Sequence, residues 1–138
     1  MKNNPIDTNV IVRFLVENPT SIQDKFKGVY SFFERLEKKE ASAYIPELVL
    51  FQTYFVLTSH YEVPTREAAM KLSEIVKFSG VEMDDKNLSL ACMNILIEKK
   101  VDIIDAYICA LCEKHNIDGV YSFDSDIYKL GLKIKAVK

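Results

Sequence analysis

Four aspartates carry the chemistry open to this chain. Asp7 stands in PIDTNVIVRFL, where an extended lead gives way to an apolar helix; Asp105 stands inside the helical run VDIIDAYICAL; Asp124 and Asp126 fall in VYSFDSDIYKL, just after a β-rich run. Taken singly, Asp7, Asp124 and Asp126 read first as helix N-caps, because an aspartate at such a junction accepts the orphan N–H groups of the first turn. Asp105 is different. It shares a helical stripe with Val101, Ile108, Cys109 and Cys112, so it points where its apolar neighbours point. A carboxylate there is costly unless paired or bound to a cation. The nearest lysines give little help, since Lys99 and Lys100 precede the helix and Lys114 falls on another face. Asp102, at the first turn, reads as a cap rather than a ligand.

Carboxylates gathered without histidine or cysteine suit a hard cation, Mg²⁺ or Mn²⁺, rather than zinc. His60 and His115 fall at helix ends, where surface or helix-dipole roles suffice. Cys109 and Cys112 have C-x-x-C spacing, but they lie within a helix and no second pair completes a zinc site, so they read as small core residues. The four glycines form no phosphate loop and no nucleophile elbow, which removes nucleotide-binding and serine-hydrolase readings.

The elements that must position these carboxylates follow from periodicity. Residues 21 to 40 place apolar side chains at three- and four-residue spacing, as in an amphipathic helix, and Ala43 to Ile45 read as a buried strand stopped by Pro46. ELVLFQTYFVLTSHY is apolar on nearly every face, which predicts a helix enclosed on most sides. A helix capped by the Thr65 hydroxyl is expected to run to Gly80, VEM to form an extended link, and Asp84 or Asp85 to cap a helix through Lys100. Asp102 opens the next helix, GVYSF is a strand, and LKIKAV closes the chain as an edge strand with outward lysines. Such alternation predicts an α/β fold with a parallel sheet covered by helices on both faces.

At 138 residues the chain fits one domain, 1 to 138, and its 49% apolar and 28% charged residues suit a globular protein. A net charge of −2 shows no basic nucleic-acid footprint in the total. No stretch reaches the ~18 apolar residues of a membrane span, and MKNNPID lacks the apolar core of a signal peptide. With three cysteines, an odd number in no loop-rich setting, the expectation is a cytoplasmic protein away from membranes.

In order and spacing, DTNVIVRFL, IPELVLFQTYFVL, VDIIDAYICAL and VYSFDSDIYKL resemble a PIN domain, in particular the VapC-like toxin ribonucleases of toxin–antitoxin pairs. The resemblance implies a three-layer α/β/α sandwich with a central parallel sheet of about four to five strands, and cleavage of RNA with Mg²⁺ or Mn²⁺. Its acidic cluster carries over onto Asp7, Asp105 and Asp124 as catalytic metal ligands, with Asp126 as an added metal position, and onto position 52. Thr8, Asn9, Gln52 and Ser122 become pocket supports, and an antitoxin protein becomes a partner. The three main carboxylates are then expected within about 10 Å of one another, close enough to share hydrated Mg²⁺.

The chain departs from that pattern in two places. Gln52 stands where the family shows Glu, and the first strand, KNNPI, is poor in β-branched residues. Glu47 is no substitute, because five helical steps turn it about 140° away. The departure at position 52 leaves an alternative, a catalytically weak or inactive PIN-like domain that binds RNA or protein. Arg13 is a candidate phosphate contact, whereas Lys129, Lys133 and Lys135 read better as solvated surface. Apolar residues around 48 to 57, with Tyr30, Phe32 and Phe33, predict a homodimer.

Overall fold

The computed structural model describes residues 2–138. Helix α1 (Thr8–Val16) starts at Asp7, whose side chain accepts the Thr8 N–H, and buries Thr8, Ile11 and Val12 on one face. A short 3-10 turn (Asp24–Phe26) precedes α2 (Gly28–Glu37), which buries Phe33 and Leu36. The amphipathic run expected as one helix over 21 to 40 is therefore a turn and a shorter helix. Phe14 of α1 stacks on Phe33 of α2 with ring centroids 4.3 Å apart, which locks the two helices together.

Strand β1 (Ala43–Tyr44) pairs in parallel with β2 (Val81–Glu82), with Ala43 opposite Val81. On its other side the N-terminal segment meets β1 through a single parallel bridge, Pro5 to Tyr44. Tyr44 N–H donates to the Asn4 carbonyl (2.9 Å) and Ile6 N–H to the Tyr44 carbonyl (2.8 Å). The ladder thus uses the residues flanking Pro5, so the proline, which has no N–H to give, is tolerated at this edge. A second parallel pair, β3 (Gly119–Tyr121) with β4 (Lys133–Lys135), forms a separate two-stranded ladder. The α/β class with parallel strands holds, but the strands are short and fall into two ladders rather than one continuous sheet of four to five strands. A physical reason lies in the packing, because β3 and β4 close over their own small cluster of Cys109, Cys112, Ile127, Leu130 and Leu132.

Helix α3 (Glu47–Phe55) continues into a π turn (Val56–His60). Only Leu50, Thr53, Tyr54 and Leu57 are buried, while Leu48 is 81% exposed and Phe55 45% exposed. The helix is not enclosed on most sides as its composition predicts; three- and four-residue spacing selects one buried face and leaves the other apolar face uncovered. Helix α4 (Thr65–Val76) has Pro64 at its N-cap and no side-chain cap, so the Thr65 hydroxyl does not cap it, and it stops short of Gly80. Gly80 serves a close approach instead. A Cβ there would lie 2.1 Å from the Ala41 carbonyl oxygen and 2.7 Å from that of Leu36, both backbone atoms that cannot step aside.

Helix α5 (Lys86–Glu98) is capped by Asp85, and α6 (Ile103–His115) by Asp102, as the sequence predicts. The Asp85–Lys114 ion pair ties α5 to α6. The three cysteines are free and buried, in keeping with core roles.

Candidate functional site

The start of α6 and the segment after β3 face one another. Asp102 accepts the Ile104 N–H (2.7 Å), which fixes the first turn of α6 and places Asp105 on the same side, three residues on. Beyond β3, the Ser122 hydroxyl oxygen accepts the Asp124 N–H (2.9 Å), and the Asp124 carboxylate accepts the Asp126 N–H (2.9 Å). Asp124 thereby caps a 3-10 helix (Ser125–Leu130), held down by buried Ile127 and Leu130. Between the two segments lies an open cleft of about 490 Å³, lined by Thr65, Lys100, Val101, Asp102, Asp105, Asp124, Asp126 and Lys129.

Asp105 is the strained member. Burial, followed by the negative charges of Asp102, Asp124 and Asp126, raises its carboxyl above the ordinary aspartate value. Lys129 answers Asp126 at 3.1 Å, a pair between two well-exposed side chains and so a weak neutraliser.

Asp7 is not part of that lining. It is exposed at the start of α1; its Oδ1 accepts the Thr8 N–H (2.7 Å) and its Oδ2 accepts from Asn9 Nδ2 (3.4 Å). The buried Thr8 hydroxyl donates to Gln52 Oε1 (2.8 Å), so position 52 is joined to the Asp7 turn through one side chain. Gln52 also borders a shallow depression with Ile104, the neighbour of Asp105, along with Leu48, Phe51 and Phe55. Glu47 is turned away, its Oε2 accepting from the Tyr107 hydroxyl at 3.3 Å, as the helical geometry requires. Arg13 pairs with Glu17 (2.6 Å) and lies over the Phe26 ring, 3.8 Å from its centroid.

The structure therefore brings Asp105, Asp124 and Asp126 into one cleft and does not bring Asp7 into that cleft's lining. Among the described residues, no three His, Cys, Asp or Glu side chains are grouped closely enough to hold a metal ion directly. The cleft also contains Asp102, Lys100 and Thr65, which sequence reasoning left out of the site. For Asp102 a signal existed, since i and i+3 positions share a helix face with Asp105. The placement of Thr65 depends on how α4 packs on α5 and α5 on α6, and that of Lys100 on the link between α5 and α6, which no local pattern carries.

Against this geometry, a PIN domain family model matches residues 6–133, and the chain belongs to that family. No curated protein matches the chain. The PIN domain is a nuclease-type α/β fold whose members typically bind RNA and generally use divalent metal ions. The donor chemistry of the cleft fits such an ion, because the aspartates and Thr65 offer oxygen ligands beside Lys100 and Lys129, and burial with the neighbouring charges already burdens Asp105. A small dication that keeps part of its water shell would reach carboxylates too far apart to bind it all at once. Among the described residues, no helix is long and apolar enough to cross a membrane.

Proposed function

We propose that the chain is a metal-dependent endoribonuclease of VapC-like toxin type, cutting RNA at the cleft between α6 and β3. The observation that supports this is the raised Asp105 carboxyl among three other aspartates, an arrangement that a bound cation relieves. Asp105 and Asp124 would hold Mg²⁺ or Mn²⁺, with Asp126 and Asp102 accepting from its outer waters. Bound there, the cation supplies a water of lowered pKa and offsets charge on the phosphate. Ser122 fixes the backbone of Asp124 and so the direction of its carboxylate. Lys100 and Lys129 on the cleft lining present cations to the flanking phosphates. Asp7, held by Thr8 and Asn9, completes the ligand set from the α1 side, and Gln52 supports it through Thr8. Arg13 meets the RNA backbone farther along the same helix.

A second reading has its own observation. Gln52 brings a neutral amide to the site, and its oxygen is already engaged by the Thr8 hydroxyl, which favours a weak or inactive domain that still binds RNA or a protein partner. Cleavage of single-stranded RNA by the purified protein, dependent on Mn²⁺ or Mg²⁺ and abolished by chelation, decides between the two; binding without cleavage would select the second.

Exposed Leu48 and Phe55 on α3 suit a homodimer or an antitoxin contact, and light scattering at tens of micromolar is expected to give twice the monomer mass. The free, buried cysteines suit a reducing, cytoplasmic setting.

A further inference from the structure

Two lysines line the acidic cleft, and among the described residues the only ion pair between members of that lining joins Lys129 to Asp126. Lys129 Nζ lies 3.1 Å from Asp126 Oδ1, three residues away in the 3-10 helix (Ser125–Leu130). In a helix of three residues per turn the side chains at i and i+3 eclipse one another, so the helix type itself sets this pair. The helix is fixed at both ends. The Asp124 carboxylate accepts the Asp126 N–H (2.9 Å) at its start, and Gly131, at φ 76°, stops it. Buried Ile127 and Leu130 take the inner face and leave Lys129 exposed beside Asp126.

We infer that Lys129 is a tethered counter-cation, which holds Asp126 in the metal-free protein and must release it for a divalent cation to load, so that it sets the metal concentration at which the cleft fills. The inference rests on the metal site of the ribonuclease reading and adds what regulates its loading. The ammonium and the metal draw on the same carboxylate charge, and a dication held at Asp105 and Asp124 repels a cation paired to the neighbouring Asp126. The pair can give way. Its side chains are 72% and 62% exposed, so water screens it and little is lost when it opens. Nor does it satisfy the cleft. Asp105 carries the cost, from burial first and then from Asp102, Asp124 and Asp126, and a lysine on Asp126 offsets one of those neighbours while leaving Asp105 without a cation. The lysine therefore competes for the cleft without closing it.

The test titrates Mn²⁺, followed by the electron spin resonance of the free ion and with no RNA present, into the natural protein, Lys129→Met, Lys129→Arg, Asp126→Asn and the variant combining Lys129→Met with Asp126→Asn. Lys129 is exposed, so its variants are expected to keep the natural melting temperature in chelator. Lys129→Met is expected to bind Mn²⁺ about three- to fivefold more tightly than the natural protein, and Lys129→Arg, which keeps the charge, no more tightly. In the Asp126→Asn background the Lys129→Met gain should shrink to less than about twofold, because the pair it acts through is already gone. Equal affinity of the natural protein and Lys129→Met overturns the inference and leaves the metal site standing. An undiminished gain in the Asp126→Asn background overturns it too, since Lys129 then acts by charge at a distance and not through Asp126. No Mn²⁺ uptake by any of the proteins overturns the metal site of the ribonuclease reading, and the inference falls with it.

Discussion

Asp7 and Asp105 stand at the starts of two helices in the same protein, yet their surroundings are opposite. Asp7 is exposed, and both its oxygens accept N–H groups from the next two residues. Asp105 is half-buried, one turn inside a helix already capped by Asp102, and it faces three carboxylates. The oxygens of the first carboxylate are taken up by its own turn; the charge of the second is opposed by burial and by its neighbours, a cost that a cation or a proton relieves. Reserved charge of this second kind marks a working site better than position at a helix start does.

The largest expected effect separates the two aspartates by metal chemistry. Loss of an outer partner at a metal site already costs roughly 10- to 100-fold in affinity or activity, so Asp105→Asn is expected to lower RNA cleavage by about a hundredfold or more. The same variant should melt higher than the natural protein in metal-free buffer, because a neutral amide removes the cost of burying a charge and, after it, the repulsion from Asp102, Asp124 and Asp126. Asp7→Asn keeps the cap and is expected to leave the metal-free melting temperature unchanged while lowering cleavage. Full cleavage by Asp7→Asn would assign Asp7 to the fold alone.

Gln52→Glu sharpens the comparison from the other side. The Thr8 hydroxyl can donate to a carboxylate as it does to the amide oxygen, so the local structure survives and one negative charge is added. A unit charge at about 4 Å in a water-like surrounding is worth ~1 kcal/mol, so metal affinity is expected to rise about fivefold, read by titration with Mn²⁺. No change in affinity would place position 52 outside the metal's reach.

How much of this could be read from the chain beforehand depends on whether the information was local. The caps at Asp7, Asp85, Asp102 and Asp124 were legible, because one side chain and the next turn decide them. The departure of Asp105 from a simple capping role was legible too, from its stripe of apolar neighbours. The extent of α4 was not, since Pro64 sets its start and Gly80 answers to Leu36 and Ala41, far away in sequence. Nor was the covering of α3, because an apolar sequence on all faces says what prefers burial and not whether this chain supplies the cover. The split of the strands into two ladders depends on the small cluster under β3 and β4, which joins α6 to the C-terminal segment. That Asp124 and Asp126 follow a strand was legible from the order of elements, whereas the meeting of Asp105 with them depends on how α6 faces the segment after β3.

A smaller effect concerns the cap itself. Asp7→Ala removes the acceptor for the Thr8 N–H and is expected to lower stability by about 1 kcal/mol, or roughly 4 °C in melting temperature. Asp7→Asn should show none of that loss, which divides the stability role of this side chain from its charge.

The smallest effect is the dependence of metal-free stability on pH. Because the Asp105 carboxyl is raised in the folded state, the folded protein holds that proton at pH values where the unfolded chain has released it. Below the ordinary aspartate range both states are protonated and Asp105 carries no penalty. As pH rises from that range through the raised folded value, the penalty grows, and it is fully present above it. Asp105 therefore opposes the usual gain in stability that carboxylates give on leaving acid, such as that from Asp118, held below its ordinary value by Lys135 and Lys133. Solvent reaches the half-buried Asp105 side chain and screens its neighbours, so the difference is modest. Melting curves of the natural protein and Asp105→Asn, taken in chelator from acid to neutral pH, should coincide in acid and separate as pH rises, with the variant higher. Saturating Mg²⁺ should narrow that gap at neutral pH by stabilising only the natural protein, because a ligand that binds the folded state alone raises its stability. Curves that stay parallel from acid to neutral pH would mean that Asp105 carries no reserved charge, and the contrast with Asp7 would vanish.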